Sequence, residues 1–305
     1  MRILVVGAGA TGGYYGARLA QAGRDVSFLV RPQRAELLRE RGLRLITPDG
    51  ESQIEPQLVT AEALAGPYDL VLVAVKATGL GVALEDLGPA VGSATTVVPL
   101  LNGMSHLETL QDRFSHATVL GGVVKIVATL TPEGDVQRFT PLHAMEIGPL
   151  DPASQPQLEA AAEVLNVTGY DFSATDDILA AMWAKWVFIA TLGAFCCLMR
   201  GSVADIVAQP GGAELGRAIL AETAAVAAAS GHPLARADYE RPLATVTAAG
   251  APTTSSMFRD LTAGAPTEVE QIVGDLAEQG RWTGVATPLL DLATLHLRVY
   301  EHRRG

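Results

Sequence analysis

Along the first half of the chain, short β-branched and aliphatic runs alternate with helix-compatible stretches. "RILVVGAG" and "DVSFLVR" flank "TGGYYGARLAQAG", and "YDLVLVAVKA" and "TTVVPLLNG" come after them. Continuous apolar runs of strand length belong to strands buried on both faces, so the pattern predicts a parallel sheet covered by helices. "TVLGGVVKIVATL" and "MEIGPL" finish that sheet, with "TPEGD" as the turn between them. After "GPLDPASQP" the strand-like runs stop. Alanine-rich helical periodicity takes over in "LEAAAEVL", "ILAAMWAKWVF", "ELGRAILAETAAVAAASG", "TEVEQIVGDLAEQG" and "PLLDLATLHLRVYEH". The expected architecture is an α/β domain over residues 1–170 followed by an all-helical domain over residues 171–305.

One helical stretch, "MWAKWVFIATLGAFCCLM", holds a single charge, Lys185. Beyond that lysine the apolar run is Trp186 to Met199, shorter than a bilayer needs, and no cluster of Lys and Arg flanks it. A buried core helix is expected rather than a membrane span. The opening "MRILVVGAGA" is broken by glycine too early for a signal peptide. The only two cysteines, Cys196 and Cys197, are adjacent inside the apolar run and have no metal-ligand spacing, which suits a reducing cytoplasm. With 22 Lys and Arg against 33 Asp and Glu, the net charge is −11. A nucleic-acid surface needs the opposite balance, so neither nucleic acid nor membrane is expected as a partner.

"GAGATG" places Gly7, Gly9 and Gly12 directly after the first strand and at the opening of the first helix. Gly7 permits the tight turn, Gly9 lets a pyrophosphate approach the backbone, and Gly12 lets helix and strand pack closely. Ala10 and Thr11 open the helix whose N-terminus faces the phosphates. In this βαβ context the motif predicts a Rossmann-type dinucleotide-binding domain. The second strand ends in Arg31, with Arg34 close behind, where NAD-preferring enzymes usually carry a carboxylate. A guanidinium there suits a 2′-phosphate, so NADPH/NADP is the expected cofactor.

Two further strands end in polar residues, Lys76 and Asn102, at the sheet edge where ligands bind. Lys185 is open to two readings, a paired lysine in a core helix or a proton donor beside the nucleotide domain. In "TSSMFRDLTAGAPTEVEQIVGD", Pro266 and Thr267 can open a helix with Glu268 at the edge of its apolar face. Taken alone, Glu268 is also an ordinary first-turn carboxylate, and Ser255 and Ser256 ordinary N-cap residues.

Together these segments resemble the ketopantoate reductase (2-dehydropantoate 2-reductase) family over nearly the whole chain. "GAGATGGYYGARLAQAGRDVSFLVR" is similar to the family's opening, "VAVKA" to its lysine strand and "LNGM" to its asparagine loop. "WAKWVF" is similar to its catalytic-lysine helix and "SSMFRDLTAGAPTEVEQIVG" to its C-terminal signature. The resemblance implies NADPH-dependent reduction of a 2-oxo acid, ketopantoate to pantoate, in pantothenate biosynthesis. Lys185 is then the general acid and Glu268 a substrate or cofactor contact near it. Ser256 binds the substrate carboxylate, Asn102 and Lys76 line the nicotinamide end, and Arg31 takes the 2′-phosphate. Where the family helix carries asparagines, this chain has Ile189 and Gly193, which implies a more apolar pocket.

That departure keeps a second enzyme in view, a related 2-hydroxyacid dehydrogenase reducing another branched or bulky 2-oxo acid. A reading of another class is an NADP-binding sensor without catalysis, which would have no need of Lys185. The apolar helical half is compatible with a homodimer, though no single stripe marks an interface.

Overall fold

The computed structural model describes residues 1–304, which divide into two compact units. The first comprises Met1–Leu101 and His106–Ile178, the second Asn102–Ser105 and the chain from Leu179 onward.

The first unit is built on a sheet of ten strands among the described residues. Its core is parallel, in the order β5 (Gln57–Val59), β2 (Asp25–Leu29), β1 (Arg2–Val6), β6 (Leu70–Val73), β7 (Thr96–Pro99) and β8 (Thr118–Leu130). β1 is fully apolar after Arg2 and pairs on both sides, Val5 lying opposite Phe28 of β2 and Leu72 of β6. Helices α1 (Ala10–Gln21), α2 (Pro32–Arg41), α3 (Leu80–Asp86), α4 (His106–Arg113) and α5 (Gln155–Leu165) complete this unit. Two apolar clusters, one with Ile3, Val5, Tyr14, Tyr15 and Phe28, the other with Leu4, Val6, Val71 and Val97, divide the alternating side chains of the central strands. That division is what the double-sided apolar runs predict.

The sheet does not remain parallel. β9 (Val136–Pro149) runs antiparallel to β8, β3 (Leu43–Thr47) and β10 (Asp171–Ala174) pair parallel with β9, and β4 (Gly50–Ile54) turns back along β3. The predicted "MEIGPL" strand is thus the end of a much longer one. Its first half, with Arg138 and Pro141, is mixed in polarity and partly exposed, and its ladder with β8 shifts register between Ile126 and Ala128 of that strand.

The second unit is helical, with α6 (Ile178–Met199), α7 (Val203–Val207), α8 (Gly212–Ala229), α9 (Arg236–Val246), α10 (Ser256–Thr262), α11 (Asp275–Thr283) and α12 (Pro288–Arg304). α6 is long and apolar enough to cross a bilayer, yet 61% of its most apolar window is buried inside the structure. Trp186, Val187, Ala190, Ala194, Phe195 and Cys197, which point in different directions around the helix, all belong to one core cluster.

Candidate functional site

In the first unit the chain leaves β1 and β6 in opposite directions, because β1 is followed to β2 on one side and β6 lies on the other. Such a switch point opens a crevice at the carboxyl ends of the strands. Gly7 turns there with φ +93°, and its N–H donates to the Leu29 carbonyl at 2.9 Å. A Cβ on Gly12 would stand 2.1 Å from the Gly7 carbonyl oxygen and 2.9 Å from Ala74 Cβ, so only glycine fits. A Cβ on Gly9 would meet nothing within 4 Å. Gly9 also caps α1 without a side chain, and the first ladder bond is Gly13 N–H to Gly9 carbonyl at 2.8 Å. The N–H groups of Ala10, Thr11 and Gly12 therefore precede the ladder, the arrangement that receives a pyrophosphate. These residues fit a dinucleotide.

The two arginines at the end of β2 behave differently. Arg31 is exposed at the N-cap of α2, with extended backbone. Arg34 is half-buried, and its Nε and a terminal nitrogen donate to the Ala8 carbonyl at 3.3 and 3.0 Å. Arg34 is thus engaged with the glycine loop itself, which the sequence did not reveal. Lys76 is exposed where β6 ends, just before a one-turn 3₁₀ helix, Ala77–Gly79.

The remaining candidates fall in the second unit. Asn102 is included because its loop, Asn102–Ser105, packs with the helices although it follows β7 in the chain. Asn102 Nδ2 donates to Glu268 Oε2 at 3.2 Å. Glu268 is only 8% exposed, a depth at which a carboxylate needs polar partners. Its carbonyl accepts the N–H of Ile272 at 3.1 Å, so Glu268 sits at the entrance of the helix rather than inside it. The helix itself departs from the regular one that the periodicity predicts: Glu270–Gly274 is π-helical, and α11 continues from Asp275.

Lys185 is half-buried on α6, and Ile189 and Gly193 lie one and two turns further along the same face. Gly193 is buried; a Cβ there would lie 2.6 Å from Met257 Cε, so the methionine methyl fills the place of a side chain. Met257 is the second residue of α10, next to exposed Ser256, while Ser255 caps that helix by accepting the Phe258 N–H at 2.9 Å. Geometry therefore joins Asn102 to Glu268 directly and sets the start of α10 against the lysine face of α6. Sequence reasoning missed the π segment and the indole N–H of Trp186, which donates to the Ile272 carbonyl at 2.9 Å. Neither leaves a signal in residue spacing.

The chain is similar to known proteins along most of its length. Residues 3–152 match the family described as ketopantoate reductase PanE/ApbA, and residues 177–301 match its C-terminal domain. The chain is 32% identical over 301 residues to an uncharacterized oxidoreductase, YkpB, of Bacillus subtilis, covering 99% of each chain. It is also 32% identical to a 2-dehydropantoate 2-reductase of Archaeoglobus fulgidus, over 93% of this chain and 92% of that one. Among solved structures, a 2-dehydropantoate 2-reductase from Methylococcus capsulatus is similar with a TM-score of 0.87 at 30% identity, across 100% and 98% of the two chains. D-mandelate dehydrogenase, solved with NADH and anilino(oxo)acetate, shares the fold with a TM-score of 0.88 at 24% identity, across 100% and 99%.

Proposed function

The chain belongs to the ketopantoate reductase family, and from that premise we propose that it reduces ketopantoate to pantoate with NADPH, Lys185 giving the proton. The observation that carries this reading is the buried Glu268 carboxylate held by Asn102 in the helical unit that also bears Lys185. A bound nicotinamide supplies the hydride. The protein's own task is to neutralise the alkoxide that develops on the substrate oxygen, which the Lys185 ammonium does by proton donation. Glu268 and Asn102 orient the reacting groups, and Ser256 at the open start of α10 receives the substrate carboxylate. In the first unit, Gly7, Gly9, Ala10, Thr11 and Gly12 cradle the pyrophosphate, Arg31 pairs with the 2′-phosphate, and Lys76 adds positive charge. The setting of this reading is a cytoplasmic enzyme acting on a small acid, as monomer or homodimer.

One observation favours a second substrate. Past Lys185 the α6 face offers Ile189 and then Gly193, sealed by the Met257 methyl. Such a wall offers a substrate hydroxyl no hydrogen bond, and an unpaired hydroxyl is costly to bury. An acid with an apolar side chain, reduced to the 2-hydroxy acid, suits it.

NADPH oxidation with ketopantoate, 2-oxoisovalerate and phenylpyruvate, repeated for Lys185→Ala, tests both readings. Ketopantoate turnover lost in the variant supports the first. Preference for the two apolar acids supports the second. If NADPH binds and no acid reacts, both fall and a cofactor-binding sensor remains.

A further inference from the structure

Trp186 comes directly after Lys185 and is 4% exposed. Its indole N–H donates to the carbonyl of Ile272, 86 residues away in sequence, at 2.9 Å. Ile272 lies inside the π-helical segment Glu270–Gly274, where the Asp275 N–H reaches back to the Glu270 carbonyl. A π turn widens the helix and pulls carbonyls out of the regular ladder, so a side-chain donor can meet one of them.

The same segment is approached from a second element. Gly103, with φ +78°, lies so close that a Cβ would stand 2.3 Å from the Gln271 carbonyl oxygen. Ser105 makes a side-chain hydrogen bond to Asp275. Two consecutive carbonyls, Gln271 and Ile272, are therefore met by the Asn102–Ser105 loop and by α6. Two residues before the segment stands Glu268, held by Asn102.

The register of this short helix decides where Glu268 points. One residue inserted into a helix turns everything on one side of it by about 100°. Relaxing the π segment to an α-helical one would turn Glu268 by about that angle relative to the buried face of α11. A donor fixed on α6 holds the segment against that change.

We infer that Trp186 is a positioning residue: through the Ile272 carbonyl it keeps the π register that aims Glu268 and Asn102 at their place beside the Lys185 helix. The inference rests on the reading of Lys185 and Glu268 as groups at the reacting centre. A phenylalanine at 186 would keep most of the ring and its packing while deleting the donor.

The test is Trp186→Phe, assayed with the best 2-oxo acid at saturation while NADPH is varied. The expected result is a fall of about tenfold or more in kcat with the KM for NADPH unchanged, because catalytic geometry is sensitive to shifts on the order of 1 Å. A double-mutant cycle with Glu268→Gln, read by single-turnover kinetics, separates positioning from general support of the fold. In that background Trp186→Phe should cost less than about twofold, since the aim of Glu268 no longer matters. Trp186→Leu, which also deletes the donor and stays apolar, should show the same coupling and serves if Trp186→Phe fails to fold. Wild-type kcat in Trp186→Phe, or an equal loss with and without Glu268, overturns the positioning role. Full turnover in Lys185→Ala or Glu268→Gln overturns the proposed function, a result distinct from the first.

Discussion

Single residues in the glycine loop separate binding from folding. Gly9 and Gly12 look equivalent in the motif, yet the space around them differs. A methyl at Gly9 meets no protein atom within 4 Å, whereas at Gly12 it would overlap the Gly7 carbonyl. Gly9→Ala should therefore keep stability within about 1 kcal/mol of wild type while weakening NADPH binding tenfold or more. Gly12→Ala should lose about 1–3 kcal/mol of stability as well as cofactor binding. Urea denaturation beside a fluorescence titration reads both. The arginines divide in a similar way. Arg31, exposed at the end of β2, should discriminate NADPH from NADH, so Arg31→Ala should cost about 1.5–3 kcal/mol toward NADPH and little toward NADH. Arg34 is bonded to the Ala8 carbonyl, so Arg34→Ala should weaken both cofactors alike. Equal loss for both cofactors in Arg31→Ala would remove the 2′-phosphate assignment.

Among the elements, the ends of the last helices carry the testable electrostatics. Glu222 of α8 accepts the N–H groups of Leu289 and Leu290, each at 3.0 Å, and so caps α12 from a neighbouring helix. Glu222→Ala should lower stability by about 1–2 kcal/mol and leave cofactor affinity unchanged. Glu270, the first residue of the π segment, is paired with Arg298 of α12, whose Nε donates to it at 2.8 Å. That bond, more than any other cause, holds the Glu270 carboxyl below its usual range. A depressed carboxyl adds stability above its unfolded pKa, roughly 4.3, and loses it as pH falls through the lower folded value. Both side chains are about half exposed, so solvent reduces the contribution to under about 1 kcal/mol. Arg298→Ala should accordingly be slightly less stable than wild type at pH 7 and indistinguishable from it well below pH 4, by denaturation at both values. Asp275 works in the opposite sense. Burial raises its pKa despite the Ser105 bond, so its ionisation costs stability as pH rises through the folded value.

At the scale of the whole molecule, what was legible in the sequence followed burial. β1, β6 and β7 announce themselves because both of their faces are buried, leaving runs such as "LVLV" with no polar interruption. β4, "GESQI", has no fully buried residue and turns back along β3, so its sequence reads as loop. The four-residue β10, "DFSA", is too short and too exposed to show a period. The glycine loop was readable because its physics is local, whereas the hydrogen bond between Asn102 and Glu268 joins positions 166 residues apart and no local pattern announces it. The lysine helix shows the same limit. Its uniform apolarity predicted burial without saying which residue meets which neighbour, and its two cysteines make that burial measurable. Cys196 and Cys197 are both fully buried and free, and burial pushes their thiols up to about 11 and about 12 respectively. At pH 8 almost none of either thiol is the reactive thiolate, and neither sulfur is reachable from solvent. Native protein should therefore resist a thiol reagent such as Ellman's, and both cysteines should react together once denaturant opens the helical unit. Because α6 is the common wall of that core, the dependence of labelling on denaturant should track the loss of far-UV helix signal. Rapid labelling of either cysteine in native buffer would mean that α6 opens locally, and a helix that opens locally would not hold Lys185 and Trp186 in fixed register.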